Sequence, residues 1–83
     1  MFTNQIKKGV RVLLRNGWYA TIEDNLKGNT RLATVEGYCT EMGSVYSFDI
    51  MAVCDKNDVV VEMVEHTPAQ LKLKKSVAKM FGE

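Results

Sequence analysis

The chain has 83 residues, with 11 Lys and Arg against 10 Asp and Glu, a net charge of +1, and 46% hydrophobic residues. That length allows one domain, residues 1–83, with a thin core that buries somewhat more than ~60% of the unfolded surface. The near-neutral charge excludes an overall field that attracts nucleic acid. One proline and six glycines exclude a collagen-like or disordered chain. No apolar run approaches the ~20 residues of a membrane span.

The opening Met1-Phe2-Thr3-Asn4-Gln5-Ile6-Lys7-Lys8 has its charges after its apolar residues and lacks a long apolar core. It does not read as a secretory signal, so the expected location is the cytoplasm, or a host's cytoplasm for a mobile element. The first predicted elements form a β-hairpin. Val10, Val12 and Leu14 alternate, as do Trp18, Ala20 and Ile22. A three-residue loop of Arg15, Asn16 and Gly17 pairs Leu14 with Trp18, Val12 with Ala20 and Val10 with Ile22, which puts all six on one buried face with Trp18 as the largest core residue. Gly17 then takes the left-handed position of a type I turn with a bulge.

A polar cluster, Asp24 to Asn29, turns the chain into a third strand over Thr30–Glu36. There Ala33 and Val35 form the inward pair, Arg31 alternates with them, and Leu32 and Thr34 point the other way. Gly37 marks a bulge or bend. Tyr38–Glu41 continues or restarts a strand, Met42-Gly43-Ser44 reads as a turn, and Val45–Phe48 as a strand. Asp49-Ile50 reads as a tight 3₁₀ turn. Met51–Cys54 and Val59–Glu65 are strands separated by a turn at Asp55–Asp58, the latter with apolar residues on both faces. Thr67 and Pro68 carry the N-cap and first-turn signals of a helix that Gly82 ends. Its apolar stripe is Ala69, Leu73, Val77 and Met80, widened by Phe81. Lys72, Lys75 and Lys79 lie opposite.

About five short strands followed by one helix predict a mainly β domain. A small sheet avoids exposed edges best by closing, so the expected form is a five-stranded barrel over residues 7–65 with a helix over 67–82. Gly9-Val10-Arg11-Val12 leading into the hairpin, and Gly43-Ser44-Val45-Tyr46-Ser47-Phe48-Asp49-Ile50 before a short strand, resemble the SH3-like, Tudor and KOW barrels. The resemblance implies a 3₁₀ turn before the last strand. Asn16-Gly17-Trp18, Gly43-Ser44-Val45-Tyr46 and His66-Thr67-Pro68-Ala69-Gln70 together resemble small proteins carried by phages and plasmids, which brings no activity with it.

Chemistry-bearing residues are sparse. Cys39 and Cys54 fall in predicted strands and are expected as free thiols. His66 is the only histidine. It would be the base for either cysteine, but no Gly-flanked nucleophile or carboxylate pair accompanies it, and a junction residue is the simpler reading. Cys39, Cys54 and His66 fall short of the four ligands of a closed zinc site. No phosphate-cradling glycine motif occurs, so no cofactor is expected and the chain does not read as an enzyme.

Two binding roles are left. A protein-interaction surface, for a partner or for a second copy in a homo-oligomer, rests on Leu13, Tyr19, Leu32, Tyr38, Phe48, Val60 and Val64. A nucleic-acid surface, the alternative, rests on Arg11, Arg15, Arg31, Lys72, Lys75 and Lys79. Near-neutral charge favours the first: a non-enzymatic protein-binding module, with the phage or plasmid resemblance implying an accessory protein acting inside a host.

Overall fold

A computed structural model describes residues 1–80. Among these residues six antiparallel strands form one open sheet, followed by one helix. The strands are β1 (Arg11–Leu14), β2 (Tyr19–Ile22), β3 (Thr30–Glu36), β4 (Thr40–Tyr46), β5 (Ile50–Cys54) and β6 (Val60–Met63), in the spatial order β4-β3-β2-β1-β5-β6. The closed five-stranded barrel expected from the sequence is therefore corrected: the sheet has a sixth strand and two free ends. Short 3₁₀ turns lie at Thr3–Gln5 and, between β4 and β5, at Ser47–Asp49. Helix α1 runs from Pro68 to Met80. Phe81 and Gly82, assigned to the apolar stripe and the helix stop, lie outside the described residues.

The first hairpin has the register its alternation dictates. Val12 faces Ala20, the Leu14 N–H donates to the Trp18 carbonyl at 2.8 Å, and the Ile22 N–H donates to Val10 at 2.9 Å. Gly17 has φ +90°, the left-handed conformation in which a side chain is strained. Val12, Leu14, Ala20 and Ile22 are buried with Ile6, Ala33, Ile50 and Val64, and Val10, Val35, Val45 and Val53 pack around them. Each buried Val, Leu or Ile contributes roughly 1.5–3 kcal/mol. Trp18 departs from the expectation. It lies beyond the end of the buried column and is 37% exposed.

Met42-Gly43-Ser44 is not a turn but the middle of β4, paired with Thr34, Ala33 and Leu32. The turn is Gly37–Cys39, so Cys39 sits in a loop and is exposed, whereas Cys54 is buried in β5. The helix begins with a capping box: the Thr67 Oγ1 accepts from the Gln70 N–H at 3.2 Å, and the Gln70 Oε1 accepts from the Thr67 N–H at 3.0 Å. Its docked face is rotated from the predicted stripe. Gln70 is buried and Leu73, Lys74, Val77 and Ala78 are half-buried, while Ala69 and Met80 are exposed. No helix among the described residues is long and apolar enough to cross a membrane.

Candidate binding cleft

β4 and β1 stand three positions apart in the sheet, yet Leu14 and Val45 line one cleft of about 290 Å³. The sheet curls around its core, which brings the end of β1 and the end strand β4 to the same opening. Leu14, Val35 and Val45 form its apolar part. Trp18, Ser44, Tyr46, Arg15, Asn16 and Asp49 complete the lining. A shallower hollow of about 190 Å³ flanks the same stretch of β4, lined by Thr30 and Ser44–Tyr46.

Local packing fixes this lining. The Trp18 ring lies over Gly37, where a Cβ would overlap it, and meets Tyr38 edge-on at 5.6 Å. Tyr46 stacks on Phe48 with ring centroids 4.8 Å apart. The Arg15 N–H donates to the Asp49 carbonyl at 2.8 Å, tying the hairpin tip to the 3₁₀ turn. Arg15 Nε stands 3.0 Å from Asp49 Oδ1 in an ion pair without hydrogen-bond geometry, which leaves that oxygen buried and unbonded. The Arg15 guanidinium lies 5.8 Å from the Phe48 ring centre.

The proposed interaction residues divide into three groups. Tyr19, Leu13, Ala52 and Met63 face one another in turn across β2, β1, β5 and β6, so Leu13 and Tyr19 belong to one row on the outer face of the sheet. Val60 lies one row along, opposite Cys54. Leu32 is partly exposed, and Tyr38 is 98% exposed at the β3–β4 tip beside the cleft. Phe48 is 2% exposed and Val64 is buried. These two are corrected: Phe48 is buried and stacked against Tyr46, and Val64 is core.

The arginines of the nucleic-acid set are engaged within the fold. Arg11 grips Asp58 through Nε to Oδ1 at 2.6 Å and Nη2 to Oδ2 at 3.2 Å, pairs with Glu36, and lies over the Tyr19 ring. Those carboxylates hold the Arg11 guanidinium firmly protonated, and Arg11 holds the Asp58 carboxyl below its usual value. Arg31 is 1% exposed and not a surface residue at all. It donates to Asp24 Oδ1 at 2.7 Å, to the Thr3 carbonyl at 2.6 Å, to the Ile6 carbonyl at 2.7 Å and to the Asp24 carbonyl at 3.0 Å. Lys72, Lys75 and Lys79 are exposed on α1.

His66 is held at the strand-to-helix junction with Nε2 2.9 Å from the Ile50 carbonyl. Burial, and then Asp58 and Asp55, push the Cys54 thiol up and away from a reactive thiolate. No three His, Cys, Asp or Glu side chains among the described residues converge as a metal site. The cleft itself was hidden from sequence reasoning. Its lining comes from β1, the β1–β2 turn, β3, β4 and the 3₁₀ turn, and the one local signal, a glycine facing a tryptophan across a hairpin pair, emerges only when β3 is paired with β2.

No protein-family model matches the chain, and neither a curated protein nor a solved structure is detectably similar to it.

Proposed function

We propose that the protein is a non-enzymatic protein-binding module that uses the aromatic-lined cleft. The observation that carries this reading is a cleft whose lining combines Trp18 and Tyr46 with the apolar Leu14, Val35 and Val45 and the Arg15–Asp49 ion pair. An apolar cleft lined by aromatic side chains is what anchor residues of a partner dock into, and Trp, Tyr and Arg dominate such contacts energetically. The internal pairing of Arg11 and Arg31 supports the same reading, because it leaves those two cations little to offer phosphates.

The scaffold reads as SH3-like with an added strand. The order β4-β3-β2-β1-β5, and a 3₁₀ turn between β4 and β5, support it. An accessory role for a phage or plasmid inside its host rests on the sequence resemblance. The nucleic-acid reading keeps one supporting observation, the exposed Lys72, Lys75 and Lys79 on one helix.

The experiment is photo-crosslinking from position 46 in living host cells, with Trp18 present or replaced by alanine. A discrete protein adduct that disappears in Trp18→Ala is expected. Absence of any adduct overturns the cleft as a docking site. A gel shift that persists at physiological salt and weakens with Lys72, Lys75 and Lys79 all changed to glutamine would favour nucleic acid instead.

A further inference from the structure

The outer edge of β4 borders the cleft, and its hydrogen-bonding direction can be read from its pairing with β3. The Ser47 N–H donates to the Asn29 carbonyl, and Thr30 faces Tyr46. In an antiparallel ladder this makes Val45, Gly43 and Glu41 the residues bonded to β3, and turns the N–H and C=O groups of Thr40, Met42 and Ser44 outward. β4 is an end strand, and its seven residues contain no lysine, proline or bulge; the one edge-blunting device it carries is the core-side charge of Glu41, which a partnered edge must neutralise.

We propose that β4 pairs antiparallel with β4 of a second copy of the chain, about a two-fold axis at Gly43, and that the partner's Glu41 enters the cleft beside Arg15. The inference rests on the cleft being an interaction site, and charge complementarity selects the occupant. With the axis at Gly43, Met42 faces Ser44 and Thr40 faces Tyr46 across the junction. Glu41 faces Val45 on the core side of the sheet. Val45 and Arg15 line the same cleft, and Arg15 is 42% exposed. Among the described residues Glu41 makes no ion pair of its own. The two-fold repeats this carboxylate–guanidinium approach at both ends. An axis at Glu41 would instead oppose two like charges, and axes elsewhere shorten the overlap. A closed two-fold dimer also consumes the edge, where a head-to-tail arrangement would propagate.

The test is sedimentation equilibrium of the full chain over a wide concentration range, with three variants. The wild type is expected to dimerise. Ser44→Pro removes an outward N–H and no bond to β3, and is expected to be monomeric with an unchanged circular dichroism spectrum. Glu41→Lys is expected to weaken the dimer about tenfold or more, and it decides the matter if Ser44→Pro does not fold. Gly43→Cys in a Cys39→Ser background is expected to give a disulfide-linked dimer on mild oxidation. Non-hydrogen-bonded pairs bring Cα atoms to about 4.5 Å, within bridging range, and a Cβ at Gly43 meets open space. A wild type that is monomeric throughout, a dimer indifferent to folded Ser44→Pro and to Glu41→Lys, or no disulfide-linked dimer overturns the inference. If the chain is monomeric but its position-46 adduct still needs Trp18, the second copy is overturned as the occupant while the cleft reading stands, and a foreign segment takes its place.

Discussion

Arg31 brings a full charge into the interior because all three of its guanidinium nitrogens donate to acceptors there, in four hydrogen bonds. A buried ion pair that loses one member leaves the other unpaired in a poor solvent, at a cost of about 3–5 kcal/mol. Asp24→Asn is therefore expected to lower stability by that amount in urea unfolding, far more than an average substitution. Burial alone would push the Asp24 carboxyl up, but the Leu32 N–H, the Arg31 guanidinium and the Leu26 N–H outweigh it and hold the group below its ordinary value. A carboxyl depressed in the folded state contributes stability above its unfolded pKa of ~3.9 and loses that contribution as pH falls through the folded value. Wild type should thus lose stability more steeply than Asp24→Asn below about pH 4. Parallel slopes in a pH series of urea midpoints would refute the assignment. The alternation of β3 already sets Arg31 beside Ala33 and Val35. Charge argues for the surface, and the alternation prevails because Asp24 and two carbonyls of the N-terminal segment solvate the guanidinium in place of water, a partner set the sequence does not display.

At the scale of elements, local alternation and turn chemistry were legible and long-range pairing was not. The β1–β2 hairpin follows from two interleaved apolar series and one glycine, all within fourteen residues. Gly17→Val forces a β-branched residue to φ +90° and should cost over about 1 kcal/mol. An unchanged melting temperature would contradict the loop. Met42-Gly43-Ser44 carries turn residues, yet pairing with Leu32–Thr34 holds it extended, since a weak local preference yields to a seven-residue ladder. The helix was legible through its cap, but its face was not. Gln70 and Lys74 lie on the docked side, so an apolar-only stripe selects the wrong rotation. Trp18 followed the alternation of its strand and still left the core, because its column runs past the last buried row. There it covers Gly37, where no side chain fits beneath the ring. Gly37→Ala is expected to displace Trp18 from the cleft lining, red-shifting the emission of the chain's only tryptophan. An unshifted spectrum would show that the ring is not held there.

Across the whole molecule, a small buried polar centre joins parts that are remote in sequence. Thr3 is fully buried, its carbonyl accepts from Arg31 of β3, and its Oγ1 accepts from Gln70 Nε2 of α1 at 2.9 Å. Ser47 Oγ donates to the Gly28 carbonyl at 2.8 Å, and Gln70 Nε2 reaches the same carbonyl at 3.4 Å. The N-terminal segment, the β2–β3 loop, the 3₁₀ turn and the helix therefore share acceptors, and the side chains that converge there make the terminal helix part of the domain. A helix of this length is marginal alone in water, and its half-buried Leu73 and Val77 add only modest apolar area. Gln70 both closes the capping box and anchors that first turn to Thr3, so the two functions can be separated in a double-mutant cycle. Thr3→Val removes the acceptor while keeping volume, and Gln70→Leu removes the amide. Each is expected to cost about 1–3 kcal/mol through an unsatisfied buried group. Their coupling should reach about 0.5–3 kcal/mol, the range for residues in direct contact, against at most 0.5 kcal/mol for independent sites. A coupling near zero in denaturant titrations would mean that α1 is held by its apolar face alone, and its docking would then depend on Leu73 and Val77.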